Sequence, residues 1–121
     1  LNNFRFAPVI QISITYHRES RRAGKPKVEA IKNYIISRNC EAEVHTFCEK
    51  INSVDDLDRI LAGDLKPDAI VGCADTPPVA IHTFIIEYCL KNDGICTFGG
   101  LGIHHGHVGP LLVENSHQHY W

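Results

Sequence analysis

The sequence contains no methionine, not even at position 1, which implies a chain that begins downstream of its natural start. It has no apolar run approaching the about 18 residues that a membrane helix needs. The opening stretch "LNNFRFAPVIQIS" also lacks the basic region, apolar run and small-residue cleavage site of a signal peptide. No membrane partner and no export are therefore expected. Nor is there an excess of charge of either sign: 12 Lys and Arg stand against 14 Asp and Glu, and the one basic cluster, "HRESRRAGKPK", is short. Phosphate backbones demand clustered cations, so no nucleic-acid partner is expected. Finally, no CxxC pair occurs. The five cysteines (Cys40, Cys48, Cys73, Cys89 and Cys96) are odd in number and sit in largely apolar segments, the pattern of reduced thiols in a cytoplasmic protein. Cys73 and Cys89 read as small core side chains.

What is present is enough apolar sequence, 44% of 121 residues, for a single core, so residues 1–121 are read as one domain. "VIQISITYH" alternates with β-branched residues and predicts a strand near 9 to 16. From Pro26 onward Val28, Ile31 and Ile35 recur at helical spacing, with Asn39 as the stop. "EAEVHTFCE" predicts a strand near 42 to 48. Ser53 to Asp56 form a capping-box-like start to a short helix that buries Val54, Leu57, Ile60 and Leu61, and Gly63-Asp64 ends it. "DAIVGCA" predicts a central strand near 68 to 74, buried on both faces. A helix from Pro77 to about Lys91 follows, burying Ile81, Phe84, Ile85, Tyr88 and Cys89. A strand near 95 to 99 and a last extended stretch, "HHGHVGPLLVEN", complete the order. Strands alternating with helices of this length predict an α/β fold with a mainly parallel, Rossmann-like sheet and helices on both faces.

In such sheets ligands sit beyond the carboxyl ends of the strands. Asp75 stands at one of those ends, just before two prolines. Two readings are open for it. The carboxylate, or the Thr76 hydroxyl, caps the next helix; or it holds Mg²⁺, a hard cation that bridges carboxylates to substrate phosphates. The amides of the helix start near Pro77 would also favour an anion, less two donors lost to proline.

Three blocks in order, "GKPKVEAIKNYIISRNCEAEVHTFCEKINSVDDLDRIL", "PDAIVGCADTPPVAIHTFIIEYCLKND" and "ICTFGGLGIHHGHVGPLL", resemble the central part of the ThiF/MoeB/HesA superfamily of ubiquitin-activating-type adenylating enzymes. Members that adenylate a peptide antibiotic are the most alike in these blocks. The resemblance covers about residues 24 to 113. It implies ATP-dependent adenylation of the C-terminal carboxylate of a small β-grasp protein or a peptide, with ATP and Mg²⁺ as cofactors and a homodimer as the working form. It places the family's phosphate-contacting lysine on Lys27 and its Mg²⁺-linked aspartate on Asp75. Gly99 and Gly100, within "FGGLG", would lie beside the adenylate, where glycine permits close backbone approach; a plain turn explains them as well.

The sequence departs from that family in three ways. Upstream of Gly24 there is no glycine, so the first βα unit with its GxGxxG nucleotide loop is lacking. Arg18, Arg21 and Arg22 are candidates for the family arginine, but none has its spacing. The zinc-binding CxxC pairs of many members are absent, and His119 falls near where the first such cysteine would be. The chain is thus expected to be part of an adenylating enzyme, either a fragment or a diverged remnant, catalytic only if the missing loop is supplied. Two other classes compete with that reading. One is a non-catalytic scaffold or dimerisation module. The other is a metal-binding module built on His104, His105, His107, His117 and His119, since i and i+2 on a strand share a face and imidazole suits Zn, Ni or Cu.

Overall fold

The computed structural model describes the backbone of residues 10–14 and the whole of residues 27–113. Element order is β1 (Ile10–Ile14), α1 (Lys27–Arg38), β2 (Glu43–Phe47), α2 (Val54–Ile60), a single 3-10 turn (Gly63–Leu65), β3 (Ala69–Gly72), α3 (Ala80–Lys91), β4 (Ile95–Leu101) and β5 (Gly106–Val108). This is the alternating α/β order expected from periodicity. The chain divides into two compact units, residues 1–50 and 51–121.

In the first unit β1 and β2 pair in parallel, Ile10 opposite Glu43 through Ile14 opposite Phe47, and α1 packs on both strands. Val28 and Val44 are its buried apolar side chains among the described residues. The Thr46 hydroxyl donates to Glu29 Oε1 at 2.8 Å and ties helix to strand. The helical stripe expected from Val28, Ile31 and Ile35 is only partly covered: Ile35 is half-buried and Ile31 exposed.

The second unit carries most of the described core. Ser53 Oγ accepts from the Asp56 amide, as the capping pattern requires. Asp56 in turn accepts from the Asn52 amide at 2.8 Å. That bond, more than the nearby Arg59 guanidinium, holds the Asp56 carboxyl below its ordinary range. Leu57, Ile60 and Leu61 are buried and Val54 half-buried, and α2 packs on α3, with Lys91 Nζ and Asp58 Oδ2 paired at 2.6 Å.

Next, β3 and β4 pair in parallel from Ala69 opposite Ile95 to Gly72 opposite Phe98. β4 and β5 pair antiparallel, and Cys96 forms a further antiparallel bridge with Leu112. β4 is therefore the middle strand of the sheet β3-β4-β5, and β3 is an edge within it. Packing against α3 is close enough to exclude a methyl group at Gly72, where a Cβ would stand 2.7 Å from Phe98 Cδ1 and 3.0 Å from Ile85 Cδ1. The expectation that β3 is buried on both faces does not hold. Gly72 faces α3, but Ala69 and Val71, on the alternate face, are exposed, Val71 to 68%. No helix among the described residues is long and apolar enough to cross a membrane.

Candidate functional site

The carboxyl end of β3 is set by Gly72, whose lack of a side chain lets Phe98 and Ile85 close over it. The chain then leaves the sheet through Cys73, Ala74, Asp75 and Thr76, all exposed. Cys73 is thus a solvent-accessible thiol and not the core side chain its apolar neighbours imply; it lies one residue beyond the last strand pair. Across from it on β4 is Gly99, where a Cβ would stand 3.6 Å from Cys73 Sγ. Asp75 and Gly99 therefore belong to the same end of the parallel pair.

Asp75 is exposed, and its one hydrogen bond among the described residues comes from the Thr76 hydroxyl to Oδ1 at 3.2 Å. It does not cap α3. The helix begins at Ala80, later than the Pro77 read from the sequence, and its capping residue is Val79, with no side-chain cap bond. Val79 sits at φ 60 and ψ −49, and the Ala80 amide donates to the Pro78 carbonyl at 2.6 Å, a tight three-residue turn of the strained kind. Two consecutive prolines explain the late start, since each removes an amide donor and disfavours helical backbone in the residue before it.

The same turn answers what the helix end offers an anion. The amides of Ala80, Ile81, His82 and Thr83 donate to the carbonyls of Pro78, Pro77, Val79 and Val79 in turn, at 2.6 to 3.3 Å. Most of the donors that a phosphate would use at a helix start, the amides of Ala80, Ile81 and His82, are thus already committed.

Lys27 opens α1 in the first unit and is exposed. Each of these two residues is placed within its own unit, Lys27 at a helix start and Asp75 past a strand end. Gly100, expected to offer bare backbone, is covered: His107 is its cross-strand partner, and a Cβ on Gly100 would stand 2.5 Å from His107 Cε1. Gly99 keeps the more open approach. Arg18, Arg21, Arg22, His117 and His119 lie outside the described residues. Among the described residues, no three His, Cys, Asp or Glu side chains converge as a metal site. Sequence reasoning passed over His82, which half-buries against Phe98 with ring centroids 4.6 Å apart; the His82–Phe98 pairing crosses from helix to strand, so no local pattern could reveal it.

Comparison with known proteins matches a model of the ThiF family to residues 14–120. No curated protein matches the sequence significantly. Among solved structures, Escherichia coli MccB with ATP superposes with a TM-score of 0.75 at 24% identity, over 89% of this chain and 35% of that one. The microcin C7 biosynthetic enzyme MccB in complex with N-formylated MccA gives a TM-score of 0.72 at 22% identity, over 88% and 33%. PaaA gives 0.71 at 14% identity, over 93% and 46%. The Rossmann-like α/β fold is thus shared, and this chain spans about a third of the length of MccB.

Proposed function

Because the chain belongs to the ThiF family, we propose that it forms part of an enzyme that adenylates the C-terminal carboxylate of a peptide or small β-grasp protein at the expense of ATP. The occupants of the structures it resembles, ATP in one and N-formylated MccA in another, support a nucleotide and a peptide as its two ligands. On this chain the reading rests on Asp75, an exposed carboxylate at the end of a parallel strand that is not spent on capping the next helix.

Adenylation joins a carboxylate oxygen to the α-phosphorus and releases pyrophosphate, so two anions must be brought together and held. Mg²⁺, when bound, supplies positive charge against the phosphate oxygens. Asp75 would hold it, and its donor set fits, being hard oxygen with the Thr76 hydroxyl adjacent. Lys27 would meet the phosphates. A cation in the first turn of a helix opposes the helix dipole, so its placement there is better explained by an anionic partner than by stability. Gly99 would let the substrate tail or the adenylate approach the backbone. The reading further requires a glycine-rich nucleotide loop that these 121 residues do not contain, supplied by another segment or chain. It also takes the working form to be a homodimer, since exposed apolar side chains on the second unit are a face water penalises. Light scattering that finds only monomer at high micromolar concentration contradicts that part.

Calorimetry with Mg²⁺ and ATP at millimolar concentration tests the reading directly. Wild type binds; Asp75→Asn abolishes the metal-dependent component, and Lys27→Ala weakens the affinity. Since Asp75 caps nothing, Asp75→Asn and Asp75→Ala both leave the melting temperature unchanged. If wild type binds no nucleotide, catalysis is excluded for this polypeptide and the scaffold reading takes its place.

A further inference from the structure

The pairing at the end of β4 sorts the following hairpin into two faces. Gly99 is opposite Val108, Gly100 opposite His107 and Leu101 opposite Gly106, and the Gly102 amide donates to the His105 carbonyl at 2.6 Å. Side chains alternate along a strand and cross-strand partners share a face. Gly100, Gly102, His105 and His107 therefore share one face, with Leu101 and Val108 on the other. Past Phe98 this face carries only glycines on the first side of the hairpin, Gly100 and Gly102, and the two imidazoles lie directly over them. A Cβ at Gly100 would stand 2.5 Å from His107 Cε1, and a Cβ at Gly102 would stand 2.9 Å from His105 Cε1. Both histidines are exposed, and no hydrogen bond or ion pair engages either ring among the described residues.

We propose that His105 and His107 form a two-imidazole chelate for a divalent transition metal of the Zn²⁺, Ni²⁺ or Cu²⁺ class. Imidazole nitrogen is the ligand these ions share. His105 stands one residue before β5 and His107 within it; two residues of extended chain span about 6.6 Å, which two rings tilting together bridge to reach metal–nitrogen distances of about 2.0–2.1 Å. The glycines beneath leave the rings room to tilt. The absence of a third converging ligand among the described residues leaves the other coordination positions to water, making this an open site. His104, in the turn, falls outside the alternation. This proposal stands apart from the nucleotide reading, because it uses neither Asp75 nor Lys27.

The test is titration of the untagged 121-residue chain with Zn²⁺ or Ni²⁺ by calorimetry, without nucleotide. Wild type is expected to bind one ion per chain. His105→Ala and His107→Ala each lose that isotherm, whereas His104→Ala and the double variant His117→Ala/His119→Ala keep it. Gly100→Val provides an independent check: its side chain occupies the space of the His107 ring and should also remove binding with both imidazoles still present. Circular dichroism checks that each variant remains folded. One-to-one binding that survives the double variant His105→Ala/His107→Ala overturns the proposal, as does a wild-type chain that binds no metal.

Discussion

The two halves of the β4 hairpin both carry large apolar side chains, and those side chains are opposite in fate. In the first half Cys96 and Phe98 are exposed by only 1% and 0%; in the second, Leu101 and Ile103 are each 93% exposed and Val108 90%. Hydrophobicity does not separate them. What separates them is α3, which lies over the β3–β4 pair and brings Ile85 against Gly72 and Phe98. Burial in this unit is thus a property of which face the helix covers, and an apolar residue on the other face or past the helix stays in water. Isolated exposed apolar side chains are ordinary, whereas several on one hairpin are not.

The contrast can be broken most forcefully at its buried end. Phe98→Ala removes the largest fully buried side chain among the described residues and should destabilise the fold by about 3–5 kcal/mol, read from the midpoint of urea unfolding. Gly72→Ala pushes a methyl group into the Phe98 ring, and overpacking of this kind costs about 1–3 kcal/mol. A cost near zero would show that the helix can move off the strand. A smaller effect is expected from alkaline pH. Burial, with Cys96 adjacent, pushes the Cys89 thiol from 9.0 up to about 12. The folded state then keeps a proton that the unfolded chain releases, so stability is intact below about pH 9 and declines as pH rises towards 12. The same burial predicts that a thiol reagent at pH 8 modifies Cys40, Cys48 and Cys73 but spares Cys89 and Cys96 in the folded protein. Smallest of all should be Leu101→Thr and Val108→Thr, within about 0.5 kcal/mol of wild type. A large loss there would mean that the hairpin is covered in solution.

Much of this was legible from periodicity. β2 and β4 begin and end within two residues of expectation, and α3 buries Ile81, Ile85, Tyr88 and Cys89 as its helical spacing implies, with Phe84 half-buried. The Ser53 cap was legible too, because capping is a bond between near neighbours in sequence. The misses are all tertiary or steric. Cys73 looks like core because its neighbours are apolar, yet it lies past the last β3–β4 pair and is exposed. The start of α3 moved from Pro77 to Ala80 because two prolines and the turn at Val79 delay the first helical bond. The cover over Gly100 comes from His107 across the hairpin, a partner that a reading of "FGGLG" alone has no means to name. For the candidate site, Asp75 was located by topology, and its freedom from capping could be learned only from the hydrogen bonds.

The Pro77–Val79 turn also bears on how the rim meets a ligand. A binding loop that is disordered beforehand must lose conformational freedom on association, and side chains alone can cost about 0.5–1.5 kcal/mol each. Here Pro77 and Pro78 restrict their own backbone angles, and four successive amides are closed on carbonyls within the turn. The segment that follows Asp75 therefore enters any complex already ordered. Its entropy was surrendered during folding, and affinity at the carboxylate should track the charge placed there far more than the loop that carries it.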